Sequence, residues 1–412
     1  MKKINVLVLI TVMDRAGAET MMMNYLRNIN REKIHMDFLI NREQKADYED
    51  EIEKLGGRIY HMCPIYPGKF HRYKKEFRNF LEEHPGYDVI HSNLEERSYF
   101  AFKIAKKMGI PVRVAHAHSA PCGRNMKMIM RLYFRRKLQK YCTHKVACGE
   151  KAAKWLFGSD ADLVEMESFV NGENHSKNTV VLMKNAVDTD KFSYSTDVRE
   201  KVRKKMKISR DTLVIGHVGR FTHDKNQSFL IDIFKAVHDR DKNTVLLLVG
   251  GGEADDTLKN QIRHKVKDLG LEDSVKFLGV REDVEKVVQA FDVFLLPSLF
   301  EGLPVTMVEA QAAGLPCVIS DKVPIQCDIT GNVKSIKDRY KEYWANKLEY
   351  SWGLGSYSTP DYSAGNHSTL RLTAGCGIIR TSTIRTSRTA RATSRMDSKM
   401  DTARMAVSRA NR

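Results

Sequence analysis

The 412-residue sequence contains no apolar run approaching the roughly 18 residues that a membrane-spanning helix needs. Its seven cysteines are scattered, and no two stand at the close spacing of a metal site. That usage fits a reduced, cytoplasmic protein with small buried thiols. An export signal is also not expected. The opening MKKINVLVLITVMDRAGAE has two lysines and a short apolar run, but Asp14 and Arg15 break it and no small-residue cleavage site follows. It reads instead as a first core strand. Glutamate is missing from Ser351 onward, where ten Lys and Arg face three Asp. That stretch also lacks apolar periodicity, so disorder is expected there. Aromatic residues do not interleave with its basic ones, and no nucleic-acid-binding module is recognisable, so no specific nucleic-acid partner is expected.

What is present is ample for two domains. Apolar residues make up 42% of the chain, close to a soluble globular protein. The net charge of +17 calls for an anionic partner, although the last segment supplies about seven of those charges. Up to about Ser335 short apolar runs alternate with helical periodicity. Ile4–Ile10, Met36–Ile40, Tyr87–His91, Pro111–His116 and Lys145–Ala147 read as strands of a first half. Leu213–Val218, Val245–Val249, Val275–Leu278, Val293–Leu296 and Cys317–Ile319 read as strands of a second. Strands alternating with helices predict parallel sheets covered on both faces. The expected class is α/β, with two doubly wound domains facing a cleft and a disordered C-terminal tail. The expected boundaries are 1–187, 188–340 and a basic Ser/Thr/Arg-rich segment, 341–412. Ligands of such sheets bind beyond the carboxyl ends of the strands, which is where chemistry is to be sought.

Five strand ends carry candidates. Pro297-Ser-Leu-Phe-Glu-Gly-Leu-Pro-Val-Thr-Met-Val-Glu places Glu301 in a loop and Glu309 about one turn inside a helix predicted to start near Val305. A helix start offers free N–H groups and a positive dipole end to a diphosphate. Glu309 would then be free for ribose hydroxyls, and Glu301 would lie nearer a sugar. Taken singly, two glutamates are more often a solvated face; the flanking Glu-Gly-Leu-Pro and Gly-Leu-Pro favour function. Gly216-His-Val-Gly-Arg-Phe-Thr-His-Asp-Lys puts Gly219, Arg220 and Lys225 at another strand end, where a glycine permits close approach and two cations suit a diphosphate. Leu248-Val-Gly-Gly-Gly, with Gly250, is a third strand-end glycine turn, but without the Gly-x-Gly-x-x-Gly order of dinucleotide sites. In the first half, Gly17 opens a helix after the first strand, and a plain turn is an equal reading for it. His116-Ala-His118 ends a strand; alternation points both rings the same way, so either can face a ligand. Pro121 and Gly123 end that element.

Basic amphipathic stretches at Asn125–Tyr141, His71–Phe80 and Phe102–Met108 suit an anionic membrane surface; for any one of them a core-facing helix with a solvated basic side is an equal reading.

Together these residues resemble the retaining, GT-B-fold glycosyltransferases of family four, especially those of capsule and exopolysaccharide synthesis. The likeness spans about residues 3–335. It includes the Gly17 loop, His116-Ala-His118, Lys184-Asn-Ala-Val-Asp188 with Phe192, Gly219-Arg220 with Lys225, Val249-Gly250 and the Glu301/Glu309 segment. The resemblance implies a Rossmann-like N-terminal acceptor domain and a Rossmann-like C-terminal nucleotide-sugar domain. The substrates it implies are a UDP-linked donor and a lipid-linked sugar acceptor, met at the inner face of the cell membrane. No cofactor and no metal are expected, because Arg220 and Lys225 neutralise the leaving diphosphate. Glu301 would contact the donor sugar, Glu309 the ribose, and His118 the sugar near the reacting carbon. Two departures stand out. Ala16 replaces a frequent second glycine, and after Asp328-Ile-Thr-Gly331 the family's closing helices are not recognisable beyond Lys341-Glu-Tyr-Trp-Ala-Asn-Lys. The segment after it reads like a frame-shifted translation, so reduced activity is expected. Two further readings stay open: an inactive, basic polyanion-binding protein that keeps a nucleotide-sugar site, and a nucleotide-sugar epimerase on the same fold.

Overall fold

The computed structural model describes residues 2–119, 126–172, 176, 178–252, 256–337 and 341–352. The expectations for Pro121, Gly123 and the segment after Trp352 lie outside these residues. The described chain divides into two compact units, one ending at Lys184 and one beginning at Asn185.

Among the described residues fourteen strands are formed. They are β1 (Ile4–Ile10), β2 (Ile34–Ile40), β3 (Ile59–His61), β4 (Val89–Ser92), β5 (Val112–Ala117), β6 (His144–Ala147), β7 (Asp162–Glu165), β8 (Thr179–Leu182), β9 (Leu213–Val218), β10 (Thr244–Val249), β11 (Val275–Gly279), β12 (Val293–Leu296), β13 (Cys317–Ser320) and β14 (Val333–Ile336). The first unit holds one sheet in the order β3-β2-β1-β4-β5-β6-β8-β7, and the second a sheet in the order β11-β10-β9-β12-β13-β14. All pairings within both sheets are parallel. The winding reverses between β1 and β4 in the first sheet, where β8 also turns back to lie between β6 and β7, and between β9 and β12 in the second.

Burial on both faces explains the uninterrupted apolar strands. In the second unit Val214, Val218, Leu247, Val249, Phe294, Leu296, Cys317 and Ile319 pack on one face. Their neighbours Leu213, Ile215, Leu246, Leu248, Val293, Leu295 and Val318 pack on the other. Both faces are covered, so these strands are mostly apolar and the period-2 pattern of a half-exposed strand is absent; the buried His217 of β9 is hydrogen-bonded. In the first unit Val6, Val8, Ile10, Met36, Phe38 and Ile40 pack against Met21, Met22 and Leu26 of helix Gly17–Asn28. The strands not anticipated are β3, β7, β8 and β14. Most are short, partly exposed segments toward sheet edges, such as DLVE and VKSI, and lack an apolar run.

Two boundaries differ from expectation. The second unit begins at Asn185, three residues early, because the Asn185 amide donates to the Leu303 carbonyl and Val187 packs with Val305 and Val308. The second unit also continues past residue 340. Helix Lys341–Trp352, expected as the start of the tail, buries Trp344, Ala345 and Leu348 against helix Gln227–His238 and the sheet. The Trp344 ring stands edge-on to Phe229 at 6.1 Å.

Candidate active site

In the second unit the candidate residues gather where the winding reverses. Past β9, the Gly219 N–H donates to the Val249 carbonyl at 2.9 Å, which lays the loops after β9 and β10 side by side. Gly250 has φ +144°, and a Cβ there would lie 2.1 Å from the Gly219 oxygen. Only glycine allows that backbone contact. The chain then makes a single turn, His223–Lys225, and leaves it through Asn226 in the left-handed region. The Asn226 amide donates to the Pro297 carbonyl at 3.2 Å, and the Leu299 N–H donates to the Asp224 carbonyl at 2.8 Å. These bonds tie the loop after β9 to the loop after β12. They bring the Lys225 ammonium to 2.6 Å from Glu301 Oε1, and the Ser298 hydroxyl donates to the same oxygen at 2.7 Å.

Helix Val305–Ala312 starts four residues after Glu301, as its sequence predicts. Glu301 and Glu309 are each only 8% exposed. Buried carboxylates need compensation; that of Glu301 comes from Lys225 and Ser298. In the first turn of this helix the Thr306 hydroxyl oxygen is buried with no hydrogen-bond partner. Arg220 is exposed, and its side chain makes no ion pair among the described residues. Its carbonyl accepts from the Gln227 amide at 2.7 Å. That amide also lies 3.3 Å from His217 Nε2, while His217 Nδ1 donates to the Leu295 carbonyl at 2.9 Å. Burial lowers the His217 pKa to about 4, so the ring is neutral at pH 7 and its Nε2 accepts.

The first unit has its own polar cluster at the ends of β4 and β5. His91 Nε2 lies 3.0 Å from His116 Nδ1, and the His116 and His118 rings are 4.1 Å apart. His118 Nε2 donates to Asn93 Oδ1 at 2.7 Å. Asn93 itself is anchored to β1, its N–H donating to the Leu9 carbonyl at 2.8 Å. Burial drives the His118 pKa down to about 3, that of His91 to about 4 and that of His116 well below its usual value. These rings are therefore neutral hydrogen-bonding groups at pH 7. Glu95, at φ +52°, turns one carboxylate oxygen back to accept from the N–H groups of His118 and Ser119, at 2.9 and 3.1 Å. Its other oxygen is buried without a partner, and desolvation pushes its pKa up to about 7. Gly17 begins helix Gly17–Asn28 and is exposed; no described bond joins it to the histidines.

The structure thus joins Gly219 to Gly250 and Lys225 to Glu301, and sets His118 beside His116. The sequence reading missed His91, Asn93, Glu95, His217, Gln227 and Ser298. Ser298 stood inside a quoted segment, but a serine three residues before a glutamate is too common to mark. Among the described residues no group of His, Cys, Asp and Glu is arranged to hold a metal ion.

The family described as "Glycosyl transferases group 1" matches residues 198–350. EpsF of Bacillus subtilis (strain 168), which carries the name of a glycosyltransferase, is 34% identical over 326 residues, 78% of this chain and 80% of EpsF. The chain belongs to the group 1 glycosyltransferases. The UDP-Gal:alpha-D-GlcNAc-diphosphoundecaprenol alpha-1,3-galactosyltransferase of Escherichia coli is 26% identical over 62% of this chain and 61% of that relative. Among solved structures, HepE of Anabaena in complex with UDP and glucose superposes with a TM-score of 0.67 at 18% identity, covering 84% of this chain and 89% of HepE. WaaG, a glycosyltransferase involved in lipopolysaccharide biosynthesis, gives 0.63 at 15%, covering 85% and 91%. The two parallel-sheet α/β units of this glycosyltransferase are those of the GT-B fold, and its matched segment 198–350 covers the whole polar cluster around Lys225 and Glu301.

Proposed function

We propose that this glycosyltransferase moves a sugar from a UDP-linked donor to a lipid-diphosphate-linked acceptor of a surface polysaccharide, with retention of anomeric configuration. The donor is assigned to the second unit and the acceptor to the first. The names of the relatives support the reading: one acts from UDP-Gal on a diphosphoundecaprenol-linked sugar, and HepE binds UDP and glucose. The observation that carries it is the Lys225–Glu301 pair beside the Gly219–Gly250 contact.

In this reading Arg220 and Lys225 balance the charge of the departing diphosphate, which a cation in a partly dehydrated site does far better than one in water. Glu309 accepts hydrogen bonds from the ribose. Glu301 accepts from the transferred sugar and holds the Lys225 ammonium in place. His118, a neutral ring oriented by Asn93, has its role in sugar transfer through hydrogen bonding. The bond from the anomeric carbon to the phosphate oxygen breaks. The acceptor oxygen bonds to that carbon on the same face, and its proton passes to the leaving phosphate. The work is placed at the inner face of the cell membrane. No helix among the described residues is long and apolar enough to cross a membrane, and contact with anionic lipid is assigned to the basic surface of helix Met126–Leu138. Ile129 and Tyr133 are exposed on that helix, 68% and 53%.

The test is titration calorimetry with UDP. Arg220→Ala and Lys225→Ala should each weaken binding by about 1.5–3 kcal/mol, the range for hydrogen bonds to charged groups. Unchanged affinity in both variants would remove the phosphate assignment.

A further inference from the structure

Helices Phe70–Glu83 and Ser98–Lys107 of the first unit lie side by side, with the Phe70 and Phe100 rings stacked at 4.5 Å. Between them runs a cleft of roughly 180 Å³ lined by Lys74, Arg78, Lys103 and Lys107 over Tyr99, Phe100 and Ile104. Each helix contributes two cations four residues apart. Like charges at that spacing repel on a helix, and here two such pairs share one cleft. No carboxylate lines it. Helix Ser98–Lys107 has no acidic residue at all. On the other helix Glu76 is engaged by Arg72 at 2.5 Å and by the Cys63 N–H at 3.1 Å, while Glu82 and Glu83 at its end do not line the cleft. None of the four cations makes an ion pair among the described residues. A fold that gathers four unneutralised cations around an aromatic floor is stabilised by a ligand that carries several negative charges and an apolar continuation.

We propose that this cleft is a binding site for the diphosphate of a lipid carrier, its phosphates between the two cation pairs and its first lipid carbons on Tyr99, Phe100 and Ile104. The proposal rests on the reading of a lipid-linked acceptor and deepens it: the first unit grips the carrier's headgroup through residues separate from the histidine cluster. Long lysine stems cover the apolar floor while their ammonium groups stay at the rim, which suits an amphiphile better than a free anion.

The experiment is flotation of the full chain with neutral phosphatidylcholine vesicles, with and without a polyprenyl diphosphate. Lys74→Gln/Arg78→Gln and Lys103→Gln/Lys107→Gln are compared with Lys201→Gln/Lys205→Gln, an equal charge change at exposed positions four apart on helix Thr196–Lys205 of the second unit. The polyprenyl diphosphate should increase binding of the unaltered protein. Each cleft pair should reduce that increase about tenfold or more, as expected for loss of charge-assisted contacts. The control pair should keep it, and inorganic pyrophosphate should compete it away. Relief of repulsion should also shift Tm slightly upward in the cleft pairs, a sign that they fold. An increase retained by both cleft pairs, an equal loss in the control pair, or no competition by pyrophosphate overturns the proposal. UDP affinity measured on the same proteins should not change. A weak donor site would thus be seen separately from a failed headgroup site.

Discussion

At the scale of single residues, the two glutamates of the second unit are separated by their surroundings. Glu301 Oε1 receives both Lys225 and the Ser298 hydroxyl, whereas Glu309 is fixed in the buried helix Val305–Ala312. Glu301→Gln keeps a partner for Ser298 but releases Lys225 from its counter-charge. Its kcat should fall on the order of 10²-fold, the scale for losing one group aimed at a developing charge, while UDP binds as well as before or better. Glu309→Gln should instead weaken UDP by about 1.5–3 kcal/mol through the ribose. Steady-state kinetics with UDP calorimetry distinguishes the two, and UDP binding far more weakly to Glu301→Gln than to Glu309→Gln reverses the roles.

At the scale of elements, β9 carries near its end a buried histidine that supports the loop after it. His217 donates to the Leu295 carbonyl of β12, and Gln227 links its other nitrogen to the Arg220 carbonyl. A second proton on His217 would point at the Gln227 amide, whose orientation is fixed by Arg220. The ring's pKa is near 6.5 when unfolded and about 4 when folded. The unfolded state therefore binds more protons between those values, and this contribution is lost as pH falls from about 6.5 toward 4. It amounts to at most about 3 kcal/mol. Denaturant unfolding at pH 7 and pH 5 should show a shallower acid loss in His217→Asn than in the unaltered protein. Equal slopes would mean that the ring is not held neutral. Glu95 acts in the opposite sense in the first unit: with its pKa raised to about 7, its contribution is present at low pH and is lost as pH rises from about 4.5 through 7.

At the scale of the whole molecule, each unit has its own core. The second is completed by helix Lys341–Trp352. Trp344 is 1% exposed there. Trp344→Ala should cost the second unit about 3–5 kcal/mol, the usual range for removing a buried large aromatic. Hydrogen exchange followed by mass spectrometry should then quicken across β9–β14 and stay unchanged across β1–β8. Faster exchange spread evenly over both sheets would show that the two cores unfold as one.

The sequence alone determined the class of fold and the strands at the centres of both sheets. A strand buried on both faces is mostly apolar, and Ile4–Ile10, Leu213–Val218 and Val293–Leu296 show it without reference to anything distant. It also marked candidate residues whose neighbours along the chain are unusual: Gly219, Gly250, and Glu301 and Glu309 flanking the helix start at Val305. Only the tertiary structure decided which of these meet. The Lys225–Glu301 pair joins residues 76 apart in sequence because β9 and β12 are neighbours where the winding reverses. His91, Asn93 and Glu95 were not legible, since a histidine, an asparagine and a glutamate near a strand end have many uses. Their use here is set by β4 lying between β1 and β5, which brings Leu9, His116 and His118 to them. The edge strands and the place of Lys341–Trp352 were decided in the same way. Short or mixed segments have no pattern of their own, and a partner surface formed by distant residues gives them one.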